Sequence, residues 1–242
     1  MRSRMSGHTM RRVHVSALAF VVMLMAQAAS TVRAQDANRA VAGGGIAIPG
    51  WVGRIDPKEA SAGDKLGNAK LAKEGDAMRV TTGPAVAYWT PDNKASGNYT
   101  VKATFREPKY MSLNNHPHPY GIFIAGNDMG TDQQSYLYCA AYGNGTFIVR
   151  GFGPAPFQMN GRSTASTAVN RAGGPGEPVT QEIAVSVKDN KVQCSINGTV
   201  VATYDKSALV VPGKLKSTDG VYGIRFAHNT EAVVTGLSMT TP

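Results

Sequence analysis

The sequence predicts an all-β fold, a sandwich or barrel of short strands, on three observations. Almost no stretch carries the 3.6-residue apolar period of a helix. From Met78 onward, short runs alternate apolar and polar residues. Each run ends in a cluster of Gly, Pro, Asn or Asp. Short alternating runs spaced in this way are what two packed antiparallel layers require.

Taken in order, the predicted strands are "AMRVTT", "AVAYW", "YTVKATFRE", "YGIFIAG", "SYLYCAAY", "GTFIVRGF", "EIAVSVKD", "VQCSIN", "TVVATY", "VYGIRFAH" and "EAVVTGLSM". "TPDNKASG" reads as the turn after the second. The meander from Glu182 to Tyr204 turns at "KDN" and at Asn197-Gly198, the dipeptide that best suits a type I′ turn because both central residues need positive φ. "YGNGTF", Tyr142 to Phe147, is a third hairpin by the same argument. Residues 154–178 shift to Gly, Pro, Ser, Thr, Ala and Asn, too polar to fix themselves by apolar burial, and read as a long functional or mobile loop.

Residues 1–34 read as an export signal. Four arginines lie in the first 15 residues, "VSALAFVVMLMAQAA" follows, and small residues precede Gln35. The apolar run is shorter than the roughly 20 residues of a spanning helix, so cleavage near Ala34 and a periplasmic or extracellular product are expected. Residues 35–75, rich in Gly, Ala and Lys, read as an irregular lead-in, and residues 76–242 as the sandwich. The formal charge is +9, and losing the five arginines of residues 1–34 leaves +4. With Lys and Arg scattered singly, no stripe exists for phosphate-backbone binding. Neither nucleic acid nor, once the signal is gone, a membrane is expected as a partner.

Cys139 shares its strand face with Leu137 and Ala141, and Cys194 with Val192 and Ile196. Both sulfurs therefore point inward. Two readings stand, a disulfide between them or two separate buried thiols.

The order of "GDAMRVTTGPAVAYW", "YTVKATFRE", "YGIFIAGND", "QQSYLYCAAYGNGTFIVRGF", "QEIAVSVKDNKVQCSINGTVVATYDK" and "DGVYGIRFAHNTEAVVTGLSM" resembles exported bacterial domains of the concanavalin A-like lectin/glucanase superfamily. The nearest resemblance is to 3-keto-disaccharide hydrolase-type domains. It spans roughly residues 75–240 and implies a jelly-roll sandwich of two antiparallel sheets, one curved into a concave face. Laminarinase-type members carry E-x-D-x-x-E or E-x-D-x-E on one strand. Here Glu74 and Asp76 come closest, and Arg79 stands where a third carboxylate should be. A retaining glycosidase needs two carboxylates about 5 Å apart, and no strand supplies both.

Candidate site residues follow from chemistry. Tyr136, Tyr138 and Tyr142 repeat on one strand face, and Arg150 lies on the strand expected to pair with theirs. Aromatic rings with guanidinium donors are what a sugar stacks and bonds against, so Tyr136, Tyr138, Arg150 and His228 are the expected ligand contacts. His228 is also the candidate catalytic residue, since the resembling domains place His-Asn at that strand end. Asp128 and Asp132, in the turn "NDMGTD", are candidate metal ligands, with calcium the cation that the resemblance implies. No cofactor is otherwise expected. His116 and His118 are two residues apart among prolines and read as the loop before a core strand, not as a metal centre, since further ligands such as His228 lie far off in sequence.

Three functions remain in view: a module that binds a carbohydrate or glycoside without hydrolysing it, a 3-keto-glycoside hydrolase or lyase, and a structural or interaction module.

Overall fold

The computed structural model describes residues 37–242, which fall within one unit, Asp36–Pro242. The export signal expected at residues 1–34 lies outside the described residues. In chain order the strands begin with β1 (Gly45–Ile46), β2 (Val52–Ile55), β3 (Ala69–Glu74), β4 (Ala77–Thr82), β5 (Val86–Ala95) and β6 (Tyr99–Glu107). Next come β7 (Tyr120–Asn127), β8 (Ser135–Tyr142), β9 (Thr146–Phe152), β10 (Pro156–Gln158) and β11 (Thr164–Ala165). Last are β12 (Val179–Lys188), β13 (Lys191–Ile196), β14 (Thr199–Asp205), β15 (Gly220–Phe226) and β16 (Glu231–Thr240). Helix is confined to single turns such as α1 (Pro57–Ser61) and α2 (Lys206–Leu209). Among the described residues no helix is long and apolar enough to cross a membrane.

Two sheets result. One runs β1-β3-β4-β16-β6-β12-β13-β14, and the other β10-β9-β8-β7-β15-β5-β2, with β11 paired to β9. All pairings are antiparallel except the short β1–β3 contact. The core lies between the sheets. Tyr99, Val101, Ala103 and Phe105 of β6 meet Tyr120, Ile122 and Ile124 of β7 and Leu137, Cys139 and Ala141 of β8, all essentially without exposure. The two inward cysteines do join: Cys139 and Cys194 form a disulfide, Cα to Cα 5.9 Å, that ties β8 of one sheet to β13 of the other.

Asn197 and Gly198 both have positive φ, as the type I′ reading requires. "YGNGTF" also makes a hairpin, but of a different kind. Tyr142 pairs with Thr146, which leaves a three-residue loop in which Gly145 alone is left-handed.

Three expectations need correction. Residues 35–75 are not an irregular lead-in: β2 and β3 are strands of the two sheets, and Ala69 and Leu71 of β3 are fully buried. Lys70 takes an outer position and Lys73 and Glu74 lie exposed at the strand end, so a short alternating strand hides in a charged run. "TPDNKA" is not a turn, since β5 continues to Ala95. Pro91 fits because the β5–β15 register slips there, so no ladder hydrogen bond is asked of it. Residues 154–178 are fastened by amides together with a few apolar anchors, Val169 in the core and Phe157 and Met159 packed against it. Asn160 accepts from the Val149 N–H, Asn170 exchanges hydrogen bonds with Gln181, and Ala172 N–H donates to the Gly143 carbonyl.

Candidate functional site

Antiparallel sheets usually bury one face and wet the other. The β7–β8 region departs from this, with nearly every residue of both strands buried. The reason is a second apolar cluster on the outer face of the sheet that contains β7 and β8, made of Ala87, Trp89, Phe123, Tyr136, Tyr138, Ala140, Ile148 and Phe152.

The strand register explains its layout. One level across the sheet reads Gln158, Arg150, Tyr138, Phe123, Gly223, Trp89, Val52. The next reads Ile148, Ala140, Gly121, Arg225, Ala87, Arg54. Directly opposed residues share a face, so Arg225 rises between Gly121 and Ala87 with no bulky neighbour on its own level. Its guanidinium lies 5.6 Å from the Tyr138 ring centre and 5.8 Å from that of Phe152, and Nη2 bonds Asp56 Oδ2 at 2.6 Å. Burial works to strip its proton, but Asp56 and the neighbouring tyrosines hold its pKa above the usual arginine value. The same burial raises the Tyr136 and Tyr138 phenols, with Arg225 pulling both back in part. On the rim, the Tyr142 phenol is pushed up to about 12 by burial, and its hydroxyl donates to the Arg162 carbonyl.

The structure thus brings Tyr136, Tyr138, Tyr142 and Arg150 onto one face, with Arg150 directly across from Tyr138. Their roles differ from the sequence expectation. Tyr136 is 1% exposed, wedged between Phe123 and Phe152 at 5.1 and 5.2 Å, so it is floor and not contact surface. Tyr138 is 6% exposed, while Tyr142 and Arg150 are half-buried at the rim. Sequence reasoning missed Arg225, Trp89, Arg54 and Asp56. Small residues facing a lone arginine on neighbouring strands were the available signal.

His228 does not join this face. Tyr120 pairs with Phe226, and the ladder runs on through the Ala227 N–H to Pro119 carbonyl bond, so His118 and His228 oppose each other two residues further out. Tyr120 also opposes Ala141. Five residue steps, about 16 Å at the usual strand rise, therefore separate the His228 level from Tyr138. The expected neighbourhood of His228 with Tyr136, Tyr138 and Arg150 is corrected accordingly.

Instead the ring of His228 packs on His118 at 4.1 Å between centres, and His116 packs on His118 at 4.3 Å. The reading of His116 and His118 as a plain loop is incomplete, because the sheet register supplies the distant partner. The chain bends at His116 and passes through Pro117 and Pro119 into β7, and this brings the rings of His116 and His118 together. The turn behind His228 is fixed by Asn229 at φ 49°, whose amide bonds the backbone of Ala37 and Arg39, and by Thr82, which bonds the Ala227 and Thr230 backbone.

The proposed cation turn is spent otherwise. Asp128 pairs with Lys216, and Asp132 Oδ1 lies 2.7 Å from Arg54 Nη2. Each carboxylate faces its own side-chain cation, and no calcium is proposed there. Arg79 likewise bonds Glu74 and Glu231, so the carboxylate nearest the glucanase motif is held in an ion pair.

No protein-family model matches the chain, and no curated protein matches it. Solved structures do. The carbohydrate-binding module CBM66 from Bacillus subtilis superposes with a TM-score of 0.53 over 81% of this chain and 99% of its own, at 6% identity. A glycoside hydrolase family 16 endo-glucanase from Bacteroides ovatus superposes with a TM-score of 0.53 over 85% of this chain and 98% of its own, at 12% identity. At such identities the likeness speaks for the fold alone. With two curled antiparallel sheets and these neighbours, the chain has a jelly-roll β-sandwich fold.

Proposed function

We propose that this chain is an exported domain that binds a carbohydrate or glycoside on the outer face of the sheet that contains β7 and β8, without hydrolysing it. The observation that carries the reading is the aromatic floor crossed by guanidinium groups. Trp89, Phe123, Tyr136, Tyr138 and Phe152 form the floor, and Arg54, Arg150 and Arg225 lie on the same face. Two nitrogens there, Arg54 Nη1 and Arg225 Nε, are buried with no hydrogen-bond partner among the described residues. Buried donors left unpaired are costly, and sugar hydroxyls are acceptors of the right kind. The half-buried rim residues Tyr142 and Arg150, above the Tyr138 floor, are where a pyranose would make its contacts.

Hydrolysis by the two-carboxylate route is disfavoured by the ion pairs. Asp56 is held by Arg225 and Asp132 by Arg54, so neither is poised as a nucleophile or a proton donor. The chain's resemblance to 3-keto-disaccharide hydrolase-type domains keeps a second reading, in which His228 takes a proton α to a ketone. That chemistry would sit at the histidine cluster, away from the aromatic floor. The disulfide fits an oxidising compartment and supports export.

A panel of glycans and 3-keto-glycosides, read by calorimetry and by product formation, tests the reading. A ligand should bind without turnover and bind more weakly to Arg150→Ala. Turnover lost in His228→Ala but retained in Arg150→Ala would establish the hydrolase reading instead. Failure of every panel member to bind would leave a structural module.

A further inference from the structure

The chain has five histidines, and the three within the described residues, His116, His118 and His228, all meet at one point. One ring nitrogen from each lies within 4.8 Å of the others. Three ligands on a tetrahedral zinc, at 2.0–2.1 Å from the metal, stand about 3.4 Å apart. The separations here bracket that value, with His116 Nε2 and His118 Nε2 at 2.6 Å and the widest at no more than 4.8 Å.

The tautomers sharpen the point. His118 Nδ1 lies 2.5 Å from the His228 carbonyl oxygen, and His116 Nδ1 lies 2.8 Å from Asn115 Oδ1. Both oxygens only accept, so both Nδ1 atoms carry the hydrogen. The Asn114 amide nitrogen also approaches His118 Nδ1, but at 3.2 Å it is the weaker contact, and it already donates to the Asn229 carbonyl at 2.7 Å. With hydrogen on Nδ1, each neutral ring turns a lone pair from Nε2 toward the other at 2.6 Å. At that distance the two nitrogens share either a proton or a metal cation. A carbonyl or amide oxygen on the far ring nitrogen is also what orients metal-bound imidazoles elsewhere.

We propose that His116, His118 and His228 form a three-imidazole site for a divalent transition metal of the zinc class. Imidazole nitrogens suit zinc, copper, nickel and iron and do not suit calcium or magnesium. Zinc is the natural occupant of a three-histidine set. The backbone builds the site in advance. The prolines on either side of His118 fix its strand, the β7–β15 register sets His228 opposite, and Asn229 and Thr82 lock the turn behind it. The site stands apart from the aromatic floor and does not depend on what binds there.

The test uses the untagged full chain with zinc alone, and cobalt(II) alone as the spectroscopic probe. Wild type should bind one zinc per chain, and cobalt should give the intense visible bands of a tetrahedral site. His116→Ala is the first variant, because His116 is the most exposed of the three and its loss spares the buried packing. It should lose the cobalt bands and weaken zinc binding by about 100-fold, the upper range seen even for groups that only support a ligand. His118→Ala, with its fold checked by near-ultraviolet dichroism, should do the same. His8 and His14 are unchanged in every protein compared, so any metal they hold cancels. The proposal is overturned if wild type holds less than one zinc, or if His116→Ala binds it as tightly. A proton shared between His116 and His118 would then account for their contact.

Discussion

Glu107→Gln should make the protein more stable at neutral pH, although it removes a charge that accepts a hydrogen bond. Glu107 ends β6 on the inward face and is 7% exposed. Burial raises its pKa from the ordinary 4.5 to about 7, partly offset by the Met111 N–H, 3.2 Å from Oε1, and by the nearby Tyr120 hydroxyl. The Tyr120 interaction is weak, because neither Oε2 nor that hydroxyl reaches good hydrogen-bond geometry among the described residues. A folded-state acid raised in this way binds its proton more tightly folded than unfolded. Its contribution is therefore fully present below pH 4.5 and is lost as pH rises through about 7. One pH unit of difference is 1.36 kcal/mol, so ionised Glu107 costs on the order of 3 kcal/mol at pH 8. Glutamine keeps the shape and an acceptor oxygen without the charge. Urea denaturation of both proteins from pH 4.5 to pH 8, disulfide intact, should give a stability difference near zero at the acid end. That difference should grow to about 2–3 kcal/mol in favour of Glu107→Gln by pH 8. Parallel profiles for the two proteins would refute the reasoning, since every other titrating group is common to both.

Other consequences follow from the same structure. The Cys139–Cys194 link closes a separation of 55 residues, for which loop-closure entropy gives about 4 kcal/mol. The Cys139→Ala/Cys194→Ala variant should lose between half and all of that in denaturant. Gly198 sits at φ 79° with open space around its α-carbon, so Gly198→Ala should cost only the left-handed backbone penalty, about 1–2 kcal/mol by thermal melting. Asp56→Asn leaves the Arg225 guanidinium buried without its 2.6 Å partner, and should destabilise the fold by about 3 kcal/mol, well beyond an exposed ion pair.

The parts of the fold visible in the sequence were those with strict alternation. β6 and β8 appear with the bounds expected from "YTVKATFRE" and "SYLYCAAY", because β6 buries one clean row of large side chains between the sheets and β8 carries an unbroken run of apolar and aromatic residues. β3 was hidden because Lys70, Lys73 and Glu74 give it the look of a charged run, and the second half of β5 because it contains Pro91 at a register slip. The candidate face was half legible. The tyrosine period could be read from one strand, but the Tyr138–Arg150 pairing could not: a two-residue Asn144-Gly145 turn would set Arg150 against Cys139, and the observed three-residue loop sets it against Tyr138. Arg225 and Asp56 could not, because they meet only when β2, β5 and β15 are assembled from distant parts of the chain. The same holds for His228, whose partners are set by the β7–β15 ladder and not by nearness in sequence.

The binding face itself is tested most directly through Trp89. The chain has two tryptophans, and only Trp89 belongs to the outer-face cluster, so Trp51→Phe leaves one emitter on the proposed floor. Its fluorescence, titrated with the glycan that calorimetry identifies, should change saturably. Adding Arg150→Ala should move the midpoint by about 10- to 100-fold, the range for one hydrogen bond to a charged group. Calorimetric binding with Trp89 emission unmoved, and a midpoint indifferent to Arg150→Ala, would contradict the account and put the ligand elsewhere.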